Sequence, residues 1–177
     1  HRLGVHEIAS AEQRRIAISA IIRQIKYLPD RQRDDLTEKL SAAAQVRPPA
    51  NLMMTSGQVR EMRRAGMQIG AHTVTHPILA KLELAAARQE MADSKDFLET
   101  LLGERVGLFA YPNGKLGVDY LPEHPGLVSD LDFDAAVSTN WGAANHKTDQ
   151  FQIPRFTPWD RSHLRFGTRL IGNLLKA

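Results

Sequence analysis

Two histidines in one short segment are the residues of this chain best suited to chemistry. His72 and His76 belong to the run Gly-Ala-His-Thr-Val-Thr-His-Pro at 70–77, whose first two residues end the alternating run 67–71. Neutral imidazole is the commonest protein ligand of zinc and is also accepted by iron, cobalt and nickel. The pair is therefore a candidate for binding one divalent ion. On spacing alone, a capping or surface role for the histidines stays open.

A strand-to-helix corner would position both imidazoles. The 67–71 run alternates as a short strand does after a turn residue, so His72 is expected at the strand's carboxyl end. Pro77 disfavours a helical conformation of His76 but suits the first position of a helical turn. The two imidazoles can then converge on one point. Catalytic zinc usually has three protein ligands and one open position, so a further ligand has to come from elsewhere.

Strands and helices alternate along the chain. The patterns predict strands at 67–71, 106–111, 135–139 and 152–156. They predict helices at 7–28, 30–44 and 83–102, and a shorter one around 125–131. Two further helices are predicted from their starts, one after a capping box that begins at Thr55 and one after Ser162 or Asp160. This order predicts the α/β class with parallel βαβ units, in which ligands bind at the carboxyl ends of the strands. The residues expected there are His72, Tyr111 to Gly114, Thr139 to Gly142, and Arg155.

Two helices carry apolar faces that are expected to point inward. In the first helix these residues are Ile18, Ile21, Ile22, Ile25 and Leu28. In the last helix they are Leu164, Leu170, Ile171, Leu174 and Leu175.

The composition fits a globular chain and excludes several classes of partner. The 177 residues are 42% hydrophobic and 24% charged, which is ordinary for a domain with a sizeable core. The net charge is only +3, with both signs interspersed, so no nucleic-acid partner is expected. The absence of cysteine excludes disulfides and thiolate metal sites. No run reaches the roughly 18 apolar residues of a membrane span, and the cellular compartment stays open.

The segments around these residues resemble a known family. The run Met-Gln-Ile-Gly-Ala-His-Thr-Val-Thr-His-Pro-Ile-Leu-Ala-Lys-Leu at 67–82 is similar to the metal-binding His-Ser/Thr-x-x-His-Pro segment of the polysaccharide deacetylase family, whose domain is called the NodB homology domain. Leu-Phe-Ala-Tyr-Pro-Asn-Gly at 108–114 resembles the family's third motif, Arg-x-Pro-Tyr-Gly or, in one branch, Phe-x-Tyr-Pro-Tyr-Gly. The resemblance runs from about Leu52 to Phe156.

The resemblance implies roles for individual residues. His72 and His76 would bind the metal ion, with zinc expected first and cobalt or nickel as alternatives. The backbone N–H of Asn113 would stabilise the oxyanion beside the metal. Arg155 stands where the family usually has the Leu-x-His of its general acid, and is a candidate cation for the transition state or substrate. The candidate substrate contacts are Tyr111, Pro112 and Trp141.

The family's first motif, Thr-Phe-Asp-Asp, has no counterpart in this sequence. In the family it supplies the general base and a metal-ligand aspartate. Asp34-Asp35 falls in a polar predicted helix, and Asp132-Phe-Asp134 has the wrong order and place. We therefore expect residues 51–177 to form the carboxyl-terminal part of a deacetylase (β/α) barrel with about four of its parallel strands. Residues 1–50 would be an extra helical pair, as an insertion or lead-in.

The implied function is metal-dependent hydrolysis of N-acetyl groups on a polysaccharide or oligosaccharide. Without the aspartate pair the chain alone is expected to be inactive and to bind metal weakly. A half barrel leaves strand edges unpaired, so association with a second copy or with a missing amino-terminal half is expected. The alternative is a non-catalytic carbohydrate-binding or structural subunit that keeps the deacetylase fold.

Overall fold

The computed structural model describes residues 3–47, 49, 51–156 and 159–175. The chain divides into two compact units, His1–Met53 and Met54–Ala177. The first unit contains the helices α1 (Ala11–Ile25) and α2 (Asp30–Ala44). The candidate site residues all belong to the second unit.

Helix α1 is shorter than predicted, and its apolar face is partly exposed. It begins at a capping box in which the Ser10 hydroxyl accepts from the Gln13 N–H and the Gln13 side chain accepts from the Ser10 N–H. The predicted inward positions Ile18 and Ile22 are exposed, whereas Ala17 is buried. The inward prediction is wrong there because α2, the other helix of this unit, does not pack closely along α1.

A short parallel sheet lies at the centre of the second unit. Strands β1 (Leu108–Ala110) and β2 (Ala135–Val137) pair in parallel, with Phe109 opposite Ala136. Ala71 extends the sheet beside β1 and Ile153 extends it beside β2, each through a single parallel bridge. The α/β class and the parallel order are confirmed. The four predicted strands are shorter than expected, since two of them are reduced to one bridging residue.

The helices of the second unit follow the predicted signals closely. They are α3 (Ser56–Arg64), α4 (Leu84–Leu102), α5 (His124–Asp130) and α6 (His163–Leu174), with a 3₁₀ turn at Leu79–Lys81. Thr55 and Gln58 form the predicted capping box of α3. Gly103 ends α4 with φ 69°, the left-handed conformation that glycine adopts without strain. Among the described residues, none of the helices is both long and apolar enough to cross a bilayer.

The core of this unit lies between the sheet and α4. Ala87 and Met91 of α4 are completely buried in one cluster with Phe109 of β1. The Phe109 ring contacts Phe133, with ring centroids 5.4 Å apart. Complete burial of a side chain such as Met91 or Phe109 stabilises a fold by about 1.5–3 kcal/mol. The core therefore fixes β1, whose carboxyl end leads into the candidate site.

Helix α6 begins as predicted, but its apolar face is not inward. Ser162 caps the helix by accepting from the Arg165 N–H. Leu164 is 79% exposed and Leu175 is 82% exposed, so the predicted inward face is wrong. The physical reason is a polar anchor: Asn173 is buried and exchanges two hydrogen bonds of 3.0 Å with the backbone of Gly142. That contact turns the apolar positions away from the described core.

A buried lysine joins α4 to the end of α5. The Lys95 ammonium group donates to the carbonyl oxygens of Leu131, at 2.7 Å, and of Asp132, at 2.8 Å. It also lies 4.8 Å from the centroid of the Phe133 ring. A cation at the carboxyl end of a helix is favoured by the helix dipole.

We predict that Lys95→Met lowers the free energy of unfolding by about 3 kcal/mol, because two carbonyls lose charge-assisted bonds inside the protein. Urea unfolding followed by circular dichroism measures the change. The matched control is Lys81→Met at an exposed position. Equal stabilities of the two variants would show that the buried ammonium group contributes nothing.

A second buried group is the imidazole of His124 at the start of α5. The Leu121 N–H donates to His124 Nδ1 at 2.8 Å, so the ring proton is on Nε2. Nε2 is buried and has no partner among the described residues. Burial lowers the pKa of His124 below its ordinary value near 6.5.

We predict that stability falls more steeply with acidification in the wild type than in His124→Asn. The folded pKa lies below the unfolded one, so the contribution of His124 is complete above about pH 6.5 and is lost as the pH falls towards the folded pKa. Urea midpoints between pH 7.5 and 5 provide the measurement. The variant His146→Asn, at an exposed position, is the control for losing a histidine as such. Identical pH profiles for wild type and His124→Asn would refute the prediction.

Candidate active site

The ends of the parallel segments bring the candidate residues to one edge of the sheet. The Ala71 N–H donates to the Leu108 oxygen at 2.8 Å, and the Ala110 N–H donates to the Ala71 oxygen at 2.9 Å. Because the segments are parallel, His72 leaves the sheet at the same edge as the turn after β1. The residues that follow β2 and the Ile153 bridge leave at that edge too, and they include Thr139 and Arg155.

The two imidazoles are in contact. Their ring centroids are 4.8 Å apart and the ring planes meet at 75°. His72 Nδ1 lies 2.6 Å from the Ala110 oxygen, and because a carbonyl can only accept, Nδ1 carries the proton. Nε2 of His72 then has a free lone pair. A metal-binding histidine usually donates its other ring N–H to a carbonyl or carboxylate in this way.

The surroundings of His72 favour its neutral form. Burial lowers the pKa of His72, and the nearby charges of His76 and Arg155 lower it further, against the opposing hydrogen bond to Ala110. Neutral imidazole is the form that binds metal ions. Arg155 is exposed, and its charge acts on His72. The electrostatics and the tautomer therefore both suit a ligand role for His72.

The turn after β1 is held against the end of β2. Asn113 and Gly114 have φ of 57° and 77°. The Thr139 hydroxyl donates to the Asn113 oxygen at 2.6 Å, and the Thr139 N–H donates to the Gly114 oxygen at 2.8 Å. A Cβ on Gly114 would lie 2.9 Å from the Thr139 nitrogen, so this position requires glycine. Within the described residues the Asn113 N–H donates no hydrogen bond.

The three candidate substrate contacts differ in exposure. Tyr111 and Pro112 are fully buried. The Tyr111 ring stacks on Tyr120 with centroids 3.9 Å apart, and its hydroxyl donates to the Phe151 oxygen. Burial raises the pKa of Tyr111, so the phenol stays neutral. Substrate contact by these two side chains is a prediction that their burial does not support. Trp141 is 56% exposed, and its ring contacts the Phe156 ring, with centroids 5.4 Å apart, and the Arg169 guanidinium.

Three of the carboxylates named in the sequence analysis, Asp35, Asp132 and Asp134, form ion pairs. Arg105 donates to Asp132 at 3.1 Å and to Asp134 at 2.6 Å. Arg105 precedes β1 and Asp134 precedes β2, so this cluster lies at the sheet edge opposite His72. Asp35 pairs with Lys39 within α2. Among the described residues, no group of three His, Asp or Glu side chains could hold a metal ion.

Glu90 of α4 contacts the histidine segment, although the sequence analysis did not select it. Its carboxylate accepts from the N–H groups of Val74 and Thr75 and from the Thr75 hydroxyl, each at 2.9 Å. The signal for this contact is weak in the sequence because an acidic residue on a polar helix face is ordinary. Only the fold brings α4 beside the segment between the two histidines.

Comparison with known proteins identifies the family. The sequence profile described as polysaccharide deacetylase matches residues 36–125, half of the chain. The chain belongs to the polysaccharide deacetylase family. YxkH of Bacillus subtilis, which is named as a polysaccharide deacetylase, is 28% identical over 102 residues, covering 58% of this chain and 35% of YxkH.

Solved structures of deacetylases share the fold. The Streptococcus pyogenes deacetylase PplD, solved in complex with acetate, is 30% identical with a TM-score of 0.56, covering 60% of this chain and 46% of PplD. BC0361, a polysaccharide deacetylase from Bacillus cereus, is 21% identical with a TM-score of 0.50, covering 60% of this chain and 33% of BC0361. At that identity the likeness shows the fold alone. The chain spans less than half the length of these relatives.

We predict that Thr139→Val loosens the Asn113 turn, because valine keeps the shape but removes the hydroxyl donor. Amide exchange of the residue-139 N–H, which bonds to Gly114, should accelerate about 5-fold, corresponding to the loss of roughly 1 kcal/mol of hydrogen bonding. Thr139→Ser keeps the hydroxyl and should exchange at the wild-type rate. Equal protection in all three proteins would rule out this role for the hydroxyl.

Proposed function

We propose that this chain carries the histidine part of a site that hydrolyses N-acetyl groups on a polysaccharide or oligosaccharide. The observation that carries the proposal is the His72–His76 contact at the sheet edge, with ring centroids 4.8 Å apart and His72 Nδ1 tied to Ala110. Membership of the polysaccharide deacetylase family supports this reaction class.

The two imidazoles fit a divalent ion as two of its ligands. His72 has the tautomer that exposes Nε2, and its surroundings keep it neutral. A divalent ion held there, zinc first and cobalt or nickel as alternatives, supplies Lewis-acid chemistry to amide hydrolysis. The remaining protein ligand has no candidate among the described residues.

Three other groups of the chain act on the substrate in this proposal. The Asn113 N–H donates to the acetyl oxygen as that oxygen becomes negative on addition of water. Arg155 adds a positive charge on the same side as His72. Trp141 presents an exposed ring to the sugar.

The 177-residue chain by itself is catalytically silent in this proposal and binds metal weakly. The reason is the missing general base, since general acid–base catalysis is typically worth about 10²–10⁴ in rate. We further propose that the four parallel segments are part of a (β/α) barrel. Ala71 and Ile153 each pair on one side among the described residues, which suits association with a second copy or with a chain that supplies further strands.

The alternative is a non-catalytic subunit that keeps the deacetylase fold for carbohydrate binding or assembly. The observation that favours it is the lack of a three-ligand group among the described residues. In that case His72 and His76 would be structural, and no form of the protein would release acetate.

We expect acetate release from an N-acetylglucosamine oligomer, with added zinc or cobalt, by the full-length product of the gene. His72→Ala in that product should reduce acetate release by about 100-fold or more. Even the loss of a residue that hydrogen-bonds to a metal ligand typically lowers metal affinity or activity by about 10–100-fold. The 177-residue chain should release no acetate above background. His146→Ala, at an exposed histidine, is the matched control.

Two outcomes would contradict the proposal. If the full-length product releases no acetate with either metal, the non-catalytic alternative is correct. If the 177-residue chain releases acetate and His72→Ala abolishes it, a carboxylate of this chain acts as the base. The candidates are the buried Asp119 and Asp160, which pairs with Arg169.

A further inference from the structure

The segment between the two histidines is anchored by one carboxylate from outside it. Glu90 Oε2 accepts from the N–H groups of both Val74 and Thr75 at 2.9 Å. Glu90 Oε1 accepts from the Thr75 hydroxyl at 2.9 Å. Charge-assisted bonds of this kind are roughly twice as strong as bonds between neutral groups. Glu90 therefore makes three contacts with the residues that separate His72 from His76.

The residues on either side of Val74 and Thr75 have a left-handed backbone. Thr73 has φ 62° and His76 has φ 56°, although neither is glycine. A β-branched residue such as threonine is rare in the left-handed region. A residue in a sparsely populated region costs about 1–3 kcal/mol and persists only where the surrounding structure holds it. The Thr73 hydroxyl donates to the His72 carbonyl oxygen at 2.5 Å. This bond joins adjacent residues and does not attach the segment to another helix or strand.

Apart from the contacts of Glu90, the two histidines differ in how they are attached to the rest of the fold. His72 is tied to β1 through Ala110. His76 is exposed, and its ring contacts His72. On its carboxyl side His76 is followed by the buried Pro77. On its amino side its position relative to His72 depends on the segment 73–75, which α4 contacts through Glu90.

We propose that Glu90 is a positioning residue for the histidine pair. It holds Val74 and Thr75 between the left-handed Thr73 and His76, so that the imidazole of His76 stays against that of His72 and both can bind one ion. This inference rests on the proposed metal site, and it assigns Glu90 no contact with the ion or the substrate.

Two substitutions at Glu90 distinguish the loss of its hydrogen bonds from the loss of its negative charge. In Glu90→Gln the amide oxygen can accept from the N–H groups of Val74 and Thr75, and the amide NH₂ can donate to the Thr75 hydroxyl oxygen. The three contacts can therefore persist. In Glu90→Ala all three are lost. The matched control is Asp96→Asn, an acid-to-amide change at an exposed position of the same helix.

The first measurement is amide exchange of Val74 and Thr75 in the metal-free chain. Exchange should be at least about 10-fold faster in Glu90→Ala and within about 3-fold of wild type in Glu90→Gln and Asp96→Asn. Urea unfolding of each variant separates this local change from a loss of global stability. The second measurement is zinc affinity by calorimetry, which should fall about 10-fold in Glu90→Ala and stay within about 3-fold of wild type in the other two.

The outcomes keep this inference distinct from the proposed function. Unchanged exchange at Val74 and Thr75 in Glu90→Ala overturns the positioning role, and so does unchanged zinc affinity when exchange is faster. If the wild-type chain binds no zinc, the metal site fails, and the positioning role is decided by the ring NMR signals of His72 and His76. Signals that change in Glu90→Ala but not in Asp96→Asn support it, and signals that stay the same refute it.

Discussion

Two backbone hydrogen bonds join Ala71 to β1, and the candidate site depends on them. They place the chain that carries the histidines in parallel beside the strand that leads to the Pro-Asn-Gly turn. His72 then lies close enough to the Ala110 oxygen for its Nδ1 to donate there. Those bonds fix the register of His72 along β1 and thereby the tautomer of its ring. They also place His72 at the same edge of the sheet as Asn113. Burial of Phe109 in the core keeps β1 in position to provide them.

Several features of this arrangement could be predicted from local sequence. Pro77 predicted that His76 would leave the strand and not continue a helix, and the segment 72–78 contains no helix. Capping residues fixed the start of α3 at Thr55 and the end of α4 at Gly103. The Pro-Asn-Gly turn also lies where expected, because few residues tolerate the backbone that Asn113 and its glycine adopt. These signals act over a few residues and need no knowledge of the rest of the fold.

The remaining features depend on contacts between distant residues. Tyr111 lies at a strand end, where its position suggested a ligand contact, but its ring stacks on Tyr120 inside the core. The apolar stripe of α6 predicted an inward face, whereas the buried bonds of Asn173 to Gly142 decide how the helix is oriented. Glu90 was missed because its role appears only when α4 packs beside the histidine segment. A helical pattern shows which residues share a face, and the partner of that face is set by the whole fold.

The most direct test of the central claim is a crystal structure of the chain soaked in zinc, with anomalous diffraction to locate the ion. The account predicts one ion about 2.1 Å from His72 Nε2 and the same distance from a ring nitrogen of His76, with His72 Nδ1 still bonded to the Ala110 oxygen. An ion bound away from these imidazoles, or by His72 through Nδ1 with the Ala110 bond broken, would contradict it.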